Sequence, residues 1–77
     1  MEKYKLTGKI TDLKRLNNSV NGNPRFNIVV DGVMLTTKSD AAYSYNIENL
    51  YNKGCLVVAT CYDTKSSSRI DDIIEKI

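Results

Sequence analysis

Apolar and polar residues alternate along 3–10. Tyr4, Leu6 and Ile10 share one side, with Gly8 between them, and Lys3, Lys5, Thr7 and Lys9 take the other. A period of two marks a half-buried strand. The step from Ile10 to Leu13 is odd, so the apolar phase slips there. A bulge near Thr11-Asp12 accounts for the slip, Gly8 lets the strand coil, and a long bent strand runs on through Leu16. The polar run NNSVNGNPRF, 17–26, interrupts the pattern, with Asn21-Gly22 as its turn signal. Pro24 lacks a ladder donor, so a second strand starts after it. Phe26, Ile28 and Val30 point inward there, while Arg25, Asn27 and Val29 take the other face. Asp31-Gly32 is a two-residue hairpin turn, and a third strand covers about Val33 to Lys38.

From Ser39 the period changes. Ser39 is a candidate cap, and Tyr43, Ile47, Leu50 and Tyr51 fall on one helical face. Gly54 follows Lys53 where a helix would end, so the spacing predicts a helix from Ser39 to Lys53. CLVVATCY, 55–62, reads as a buried fourth strand, and DTKSSS, 63–68, as a polar loop. Ile70, Ile73, Ile74 and Ile77 fit helical spacing and also a fifth strand with a bulge at Asp71-Asp72. The strand is adopted because a small sheet needs closing.

Seventy-seven residues bound one domain with a small core. The hydrophobic share of 42% and charged share of 26% are those of a folded soluble chain. No apolar run approaches the ~20 residues of a membrane span. MEKYKLTGK lacks the apolar centre of a secretory signal, so a cytoplasmic location is expected. Cys55 and Cys61 fall on one predicted strand at even spacing. Roughly 20 Å apart, they face one way but cannot bridge each other, and read as buried thiols. The net charge of +2 hides an asymmetry. Residues 1–25 carry six bases against two acids, and the remainder five bases against seven acids. A basic segment on a near-neutral body points to a polyanionic partner, with a solvated lysine-rich strand face as the alternative.

The order of strand, strand, strand, helix, strand, strand, with a long bent first strand, resembles the OB-fold. That fold is a mainly β, five-stranded, partly open barrel with one helix between strands three and four. An SH3-like barrel is the alternative. The segments LTGKITDLKRLNNSVNGNPRF and DAAYSYNIEN also look like small uncharacterised proteins of bacteriophages and bacterial mobile elements. The OB-fold resemblance implies ligand binding across the second and third strands, flanked by the loops after strands one and four. Those loops are Asn17 to Pro24 and Asp63 to Ser68.

Catalysis finds little footing. The chain has no histidine, no Cys-x-x-Cys, no glycine-rich phosphate loop and no nucleophile elbow. Asp71 and Asp72 could be proposed as a metal pair, but adjacent strand residues point to opposite faces and would not converge without the bulge, so they read as solvated carboxylates. No enzyme activity, cofactor or metal is expected. Single-stranded DNA or RNA binding needs cations along a groove and flat faces for the bases. Lys14, Arg15, Arg25, Lys38, Lys65 and Arg69 are the candidate cations. Tyr62, on the face opposite both cysteines, is the stacking candidate. Phe26 reads as core, with a platform as the alternative. Tyr4 and Tyr43 read as core, and Tyr45 is the tyrosine near the helix start that can lie exposed. Asn18, Asn21 and Asn23 can contact bases or phosphates, or satisfy turn geometry. The second reading is an interaction module: an accessory subunit of a replication enzyme such as a polymerase or helicase, or an inhibitor of a host defence enzyme. It would offer a free sheet edge to its partner.

Overall fold

The computed structural model describes residues 2–47 and 51–76. Five strands form among them: β1 (Tyr4–Leu16), β2 (Arg25–Val30), β3 (Val33–Thr37), β4 (Leu56–Asp63) and β5 (Ser68–Glu75). They close into a barrel in the order β1-β2-β3-β5-β4. β1 serves two neighbours. Its first half, Tyr4 to Lys9, runs antiparallel to β4, and its second half, from Ile10 to Leu16, runs antiparallel to β2.

The pairing register shifts between Ile10 and Asp12, at the predicted bulge. An extra residue there bends the strand and lets one chain belong to both sides of the barrel. Gly8 lies near this bend for a reason of space. A Cβ at Gly8 would come within 3.3 Å of the backbone N and Cβ of Asp31. The β2–β3 turn therefore packs down onto β1 where β1 has no side chain. In that turn Asp31 and Gly32 have φ of 51° and 76°, the pair of left-handed residues a tight hairpin requires.

β5 carries the second bulge. Thr60 faces Asp72 while Cys61 faces Ile70, which leaves Asp71 as the extra residue. The tail is thus a strand through Glu75, and Ile77 lies outside the described residues. β3 and β5 close the ring in parallel through Thr36–Arg69 and Thr37–Ile70.

The inward set follows the alternation. Ile10, Phe26, Ile28, Val30, Leu35, Val57, Ala59, Cys61, Ile70 and Ile73 form the core. Each large side chain taken fully out of water contributes about 1.5–3 kcal/mol before entropy is charged against it. Cys61 lies in this core, and burial, with the nearby Asp63 charge, pushes its thiol up to about 11. Cys55 precedes β4 and packs half-buried against the core. Thr37 is a fully buried hydroxyl, and its Oγ1 accepts the Phe26 amide at 2.9 Å. Thr37→Val keeps the shape and orphans that amide. The expected cost is about 1–3 kcal/mol, with faster amide exchange at Phe26, read by denaturant unfolding and hydrogen exchange.

The segment between β3 and β4 departs from the predicted helix. Among the described residues it holds only a single 3-10 turn, Ala42–Tyr45, preceded by Ala41 rather than by a capping Ser39. Asp40 adopts φ of 60°, which no helical residue does. Ser44 and Asn46 favour turns over helix, and an acidic first turn is missing. The apolar periodicity was a packing signal all the same. Ile47 is buried, Tyr43 and Tyr51 pack against the core, and Ile47 and Tyr51 form a bridge. Leu50 lies outside the described residues. Gly54, with φ of 87°, donates its amide to the Ile10 carbonyl at 2.7 Å and so joins this segment to β1.

Candidate nucleic-acid interface

Strand register builds a surface that no single stretch of sequence contains. Directly paired residues share a face of the sheet. Lys14 pairs with Asn27, Asn27 with Thr36, Thr36 with Arg69, and Arg69 with Tyr62. Their neighbours Leu13, Ile28, Leu35, Ile70 and Cys61 point inward, so this row lies outside. It crosses all five strands, about 19 Å measured along the curved sheet at ~4.8 Å per gap, and so bends around the closed barrel. The Thr36 hydroxyl donates to Asn27 Oδ1 at 2.8 Å, which fixes the middle of the row. Lys14 is exposed, and Arg69 and Tyr62 are half-buried. One step nearer the first loop, Arg25 pairs with Leu16. Its Nε is buried with no hydrogen-bond partner among the described residues.

Apart from Lys65, the other candidates are engaged with their own chain. Arg15 pairs with Phe26 and lies over its ring, 5.2 Å from guanidinium carbon to centroid. It donates to the carbonyls of Leu16 at 2.8 Å and Arg25 at 3.3 Å, and to Asn18 Oδ1. Arg15 and Asn18 therefore brace the base of the first loop. Phe26 is 1% exposed and belongs to the core, not to a stacking platform. Lys38 Nζ is 3.0 Å from Asp71, whose other oxygen takes Lys3 at 3.0 Å.

Asn21 and Asn23 meet a residue that sequence reasoning missed. Their side-chain amides donate to Asp40 at 2.8 and 2.7 Å, and Ser19 Oγ donates to the same carboxylate at 2.6 Å. The Tyr45 hydroxyl donates to Asn23 Oδ1. These contacts tie the first loop to the segment after β3. The second loop is anchored similarly. The Tyr4 hydroxyl at 2.7 Å and the Ser68 hydroxyl at 2.9 Å donate to Asp63 at its start. Thr64 Oγ1 accepts the amides of Ser66 and Ser67, leaving Lys65 exposed at the tip.

Three aspartates thus hold the rim. The Ser19, Asn23 and Asn21 donors lower the Asp40 pKa below its ordinary value, Tyr4 and Ser68 lower that of Asp63, and Lys3 and Lys38 lower that of Asp71. A depressed folded-state pKa gives stability that is present above the unfolded value of about 3.9 and lost as pH falls through the folded value. The loop contacts are therefore expected to persist at pH 5 and to open only below the ordinary aspartate range. Side-chain amide resonances of Asn21 and Asn23 followed through an acid titration check this, and movement near neutrality would contradict it.

Among the described residues no three His, Cys, Asp or Glu side chains gather as metal ligands. No helix there is long and apolar enough to cross a membrane. Asn27 and Thr36 were also missed as site residues, although alternation already puts Asn27 outside; the row itself depends on the register set by the two bulges. Asp40 was out of reach of sequence, because nothing periodic links it to a loop some twenty residues earlier.

The barrel order, the bent first strand and the two flanking loops define an OB-fold-like barrel. Its fold is similar to that of a solved mitochondrial single-stranded DNA-binding protein, Rim1 of S. cerevisiae. The likeness covers 97% of this chain and 93% of that one, with a TM-score of 0.74 and 18% sequence identity. No family model matches the sequence, and no curated protein does.

Proposed function

We propose that this chain is a non-catalytic module that binds single-stranded nucleic acid along the row Lys14–Asn27–Thr36–Arg69–Tyr62. The observation that carries the reading is the register. It assembles two cations, two hydrogen-bonding side chains and an aromatic ring, drawn from all five strands, into one track between two polar loops. Cations neutralise phosphates, and an aromatic face accepts any base. Arg25 and Lys65 extend the track toward the two loops. The likeness of fold to a single-stranded DNA-binding protein supports the same reading.

The test is fluorescence anisotropy with a labelled single strand of about 20 nucleotides across a salt series. Micromolar-class affinity is expected, with a slope of log K against log salt of about −2 to −3, the release expected from three or four phosphate contacts. A folded protein that binds nothing at low salt would sink the proposal.

A second reading has one feature in its favour. Among the described residues β3 pairs with β5 through Thr36 and Thr37 alone, so the Val33–Leu35 edge offers backbone groups to a strand from a protein partner such as a replication or defence enzyme. A partner that protects the amides of this edge from exchange, without protecting the row, would favour it.

A further inference from the structure

The first loop gathers three neutral donors on one oxyanion. Ser19 Oγ, Asn21 Nδ2 and Asn23 Nδ2 all point at the carboxylate of Asp40, at 2.6 to 2.8 Å. Neutral hydroxyl and amide donors that converge in this way prefer an anion, because a charged acceptor strengthens each bond. The loop itself supplies no acid. The anion arrives from a different segment, on a residue held in the left-handed region at φ of 60°. A side chain other than glycine rests there at a cost, though aspartate tolerates it better than most. All these groups are at the surface. Lys14 and Arg15 stand on the strand that leads into the loop.

We propose that this loop is an anion-binding cradle for a phosphate oxyanion, and that the Asp40 carboxylate occupies it when no phosphate is present. The proposal deepens the nucleic-acid reading by giving the first loop a backbone phosphate as its ligand, and the cradle itself can be tested without nucleic acid. A carboxylate tethered nearby has a high effective concentration, so a free phosphate ion in solution loses the competition. A strand already seated on the row presents its phosphates at a comparable effective concentration, and one of them can take the place of Asp40. Asp40 then swings outward and releases its left-handed backbone. The loop thus adds grip only to a ligand the row has already engaged, and Asp40 holds affinity down.

Two variants separate this from a purely structural link. Asp40→Gly empties the cradle and suits the positive φ. Asp40→Asn keeps the side-chain shape and tolerates the same backbone. With inorganic phosphate at millimolar concentration as the probe, the side-chain amide resonances of Asn21 and Asn23 are expected to stay in place in the wild type. They are expected to shift in a saturable way in both variants. A folded variant whose resonances ignore phosphate overturns the proposal.

The second arm measures single-stranded DNA affinity against Asp31→Asn, which removes one acidic charge from a turn outside the cradle. Asp40→Asn is expected to tighten binding about ten-fold more than Asp31→Asn, the scale of one hydrogen bond to a charged group. Adding Asn21→Ala should cancel that gain. Equal tightening by the two neutralisations, or a gain that survives Asn21→Ala, overturns the proposal in favour of bulk charge. Phosphate shifts in variants that bind no DNA would uphold the cradle and defeat the nucleic-acid reading.

Discussion

Phe26→Ala lowers the unfolding free energy by about 3–5 kcal/mol. A domain of this length holds roughly 4–12 kcal/mol in all, at 0.05–0.15 kcal/mol per residue, so the variant sits at the margin of folding. The ring is 1% exposed and lies at the end of the core beneath the first loop. Its loss opens a cavity that the paired strands cannot collapse, because β1 and β3 hold β2 on both sides. It also removes the surface on which the Arg15 guanidinium rests. The barrel and the loop base therefore weaken together. Phe26→Leu retains most of the volume and is expected to cost about 1 kcal/mol. Urea unfolding of the two variants measures the difference. A loss below about 1 kcal/mol for Phe26→Ala would show that the ring does not fill the core.

Tyr62→Ala and Arg69→Ala are expected to weaken single-strand binding in different ways. The two residues are paired neighbours on one row, but a ring and a guanidinium act through different physics. Loss of a stacking face costs about 1–3 kcal/mol of binding, and it leaves the salt dependence as it was. Tyr62→Phe keeps the flat face and is expected to bind like the wild type. Loss of the Arg69 charge removes one phosphate contact, so the salt slope falls by about 0.7 and the deficit shrinks at high salt. Because Tyr62 is half-buried, its truncation is paired with a measurement of stability. Unchanged affinity in a folded Tyr62→Ala would remove the base platform from the proposed interface.

The strands were legible because each has its own local signal. Alternation marks β1 and β2, Asp31-Gly32 marks the hairpin, and the odd step from Ile10 to Leu13 marks the bulge. The isoleucine spacing in the tail was ambiguous between helix and strand, and ring closure decided it. The stretch from Ser39 to Lys53 misled because apolar residues at helical spacing also suit a chain that dips repeatedly into a core. Tyr43 and Ile47 reach that core from a 3-10 turn and its exit. The candidate site was legible as a set of residue types and not as an arrangement. Lys14, Arg69 and Tyr62 come together through register, which depends on where both bulges fall. Lys38 is drawn to Asp71 and Arg15 to Phe26 by partners distant in sequence. The asparagines read equally as ligands or as turn formers, and the structure turns Asn21 and Asn23 toward Asp40.

The closure between β3 and β5 has a consequence for where the barrel opens. The β1–β2–β3 meander and the β4–β5 hairpin each pair residues that are near in sequence, apart from the long reach of β1 to β4. β1 and β4 span the longer stretch of chain but share six rungs, whereas the parallel joint holds through two, Thr36–Arg69 and Thr37–Ile70. This joint is therefore the thinnest seam of the barrel and the first line to part. The row Lys14–Asn27–Thr36–Arg69–Tyr62 runs directly across it, between Thr36 and Arg69. A strand lying on the row acts as a suture, and whatever binds there raises the melting temperature by holding the two halves of the cylinder together.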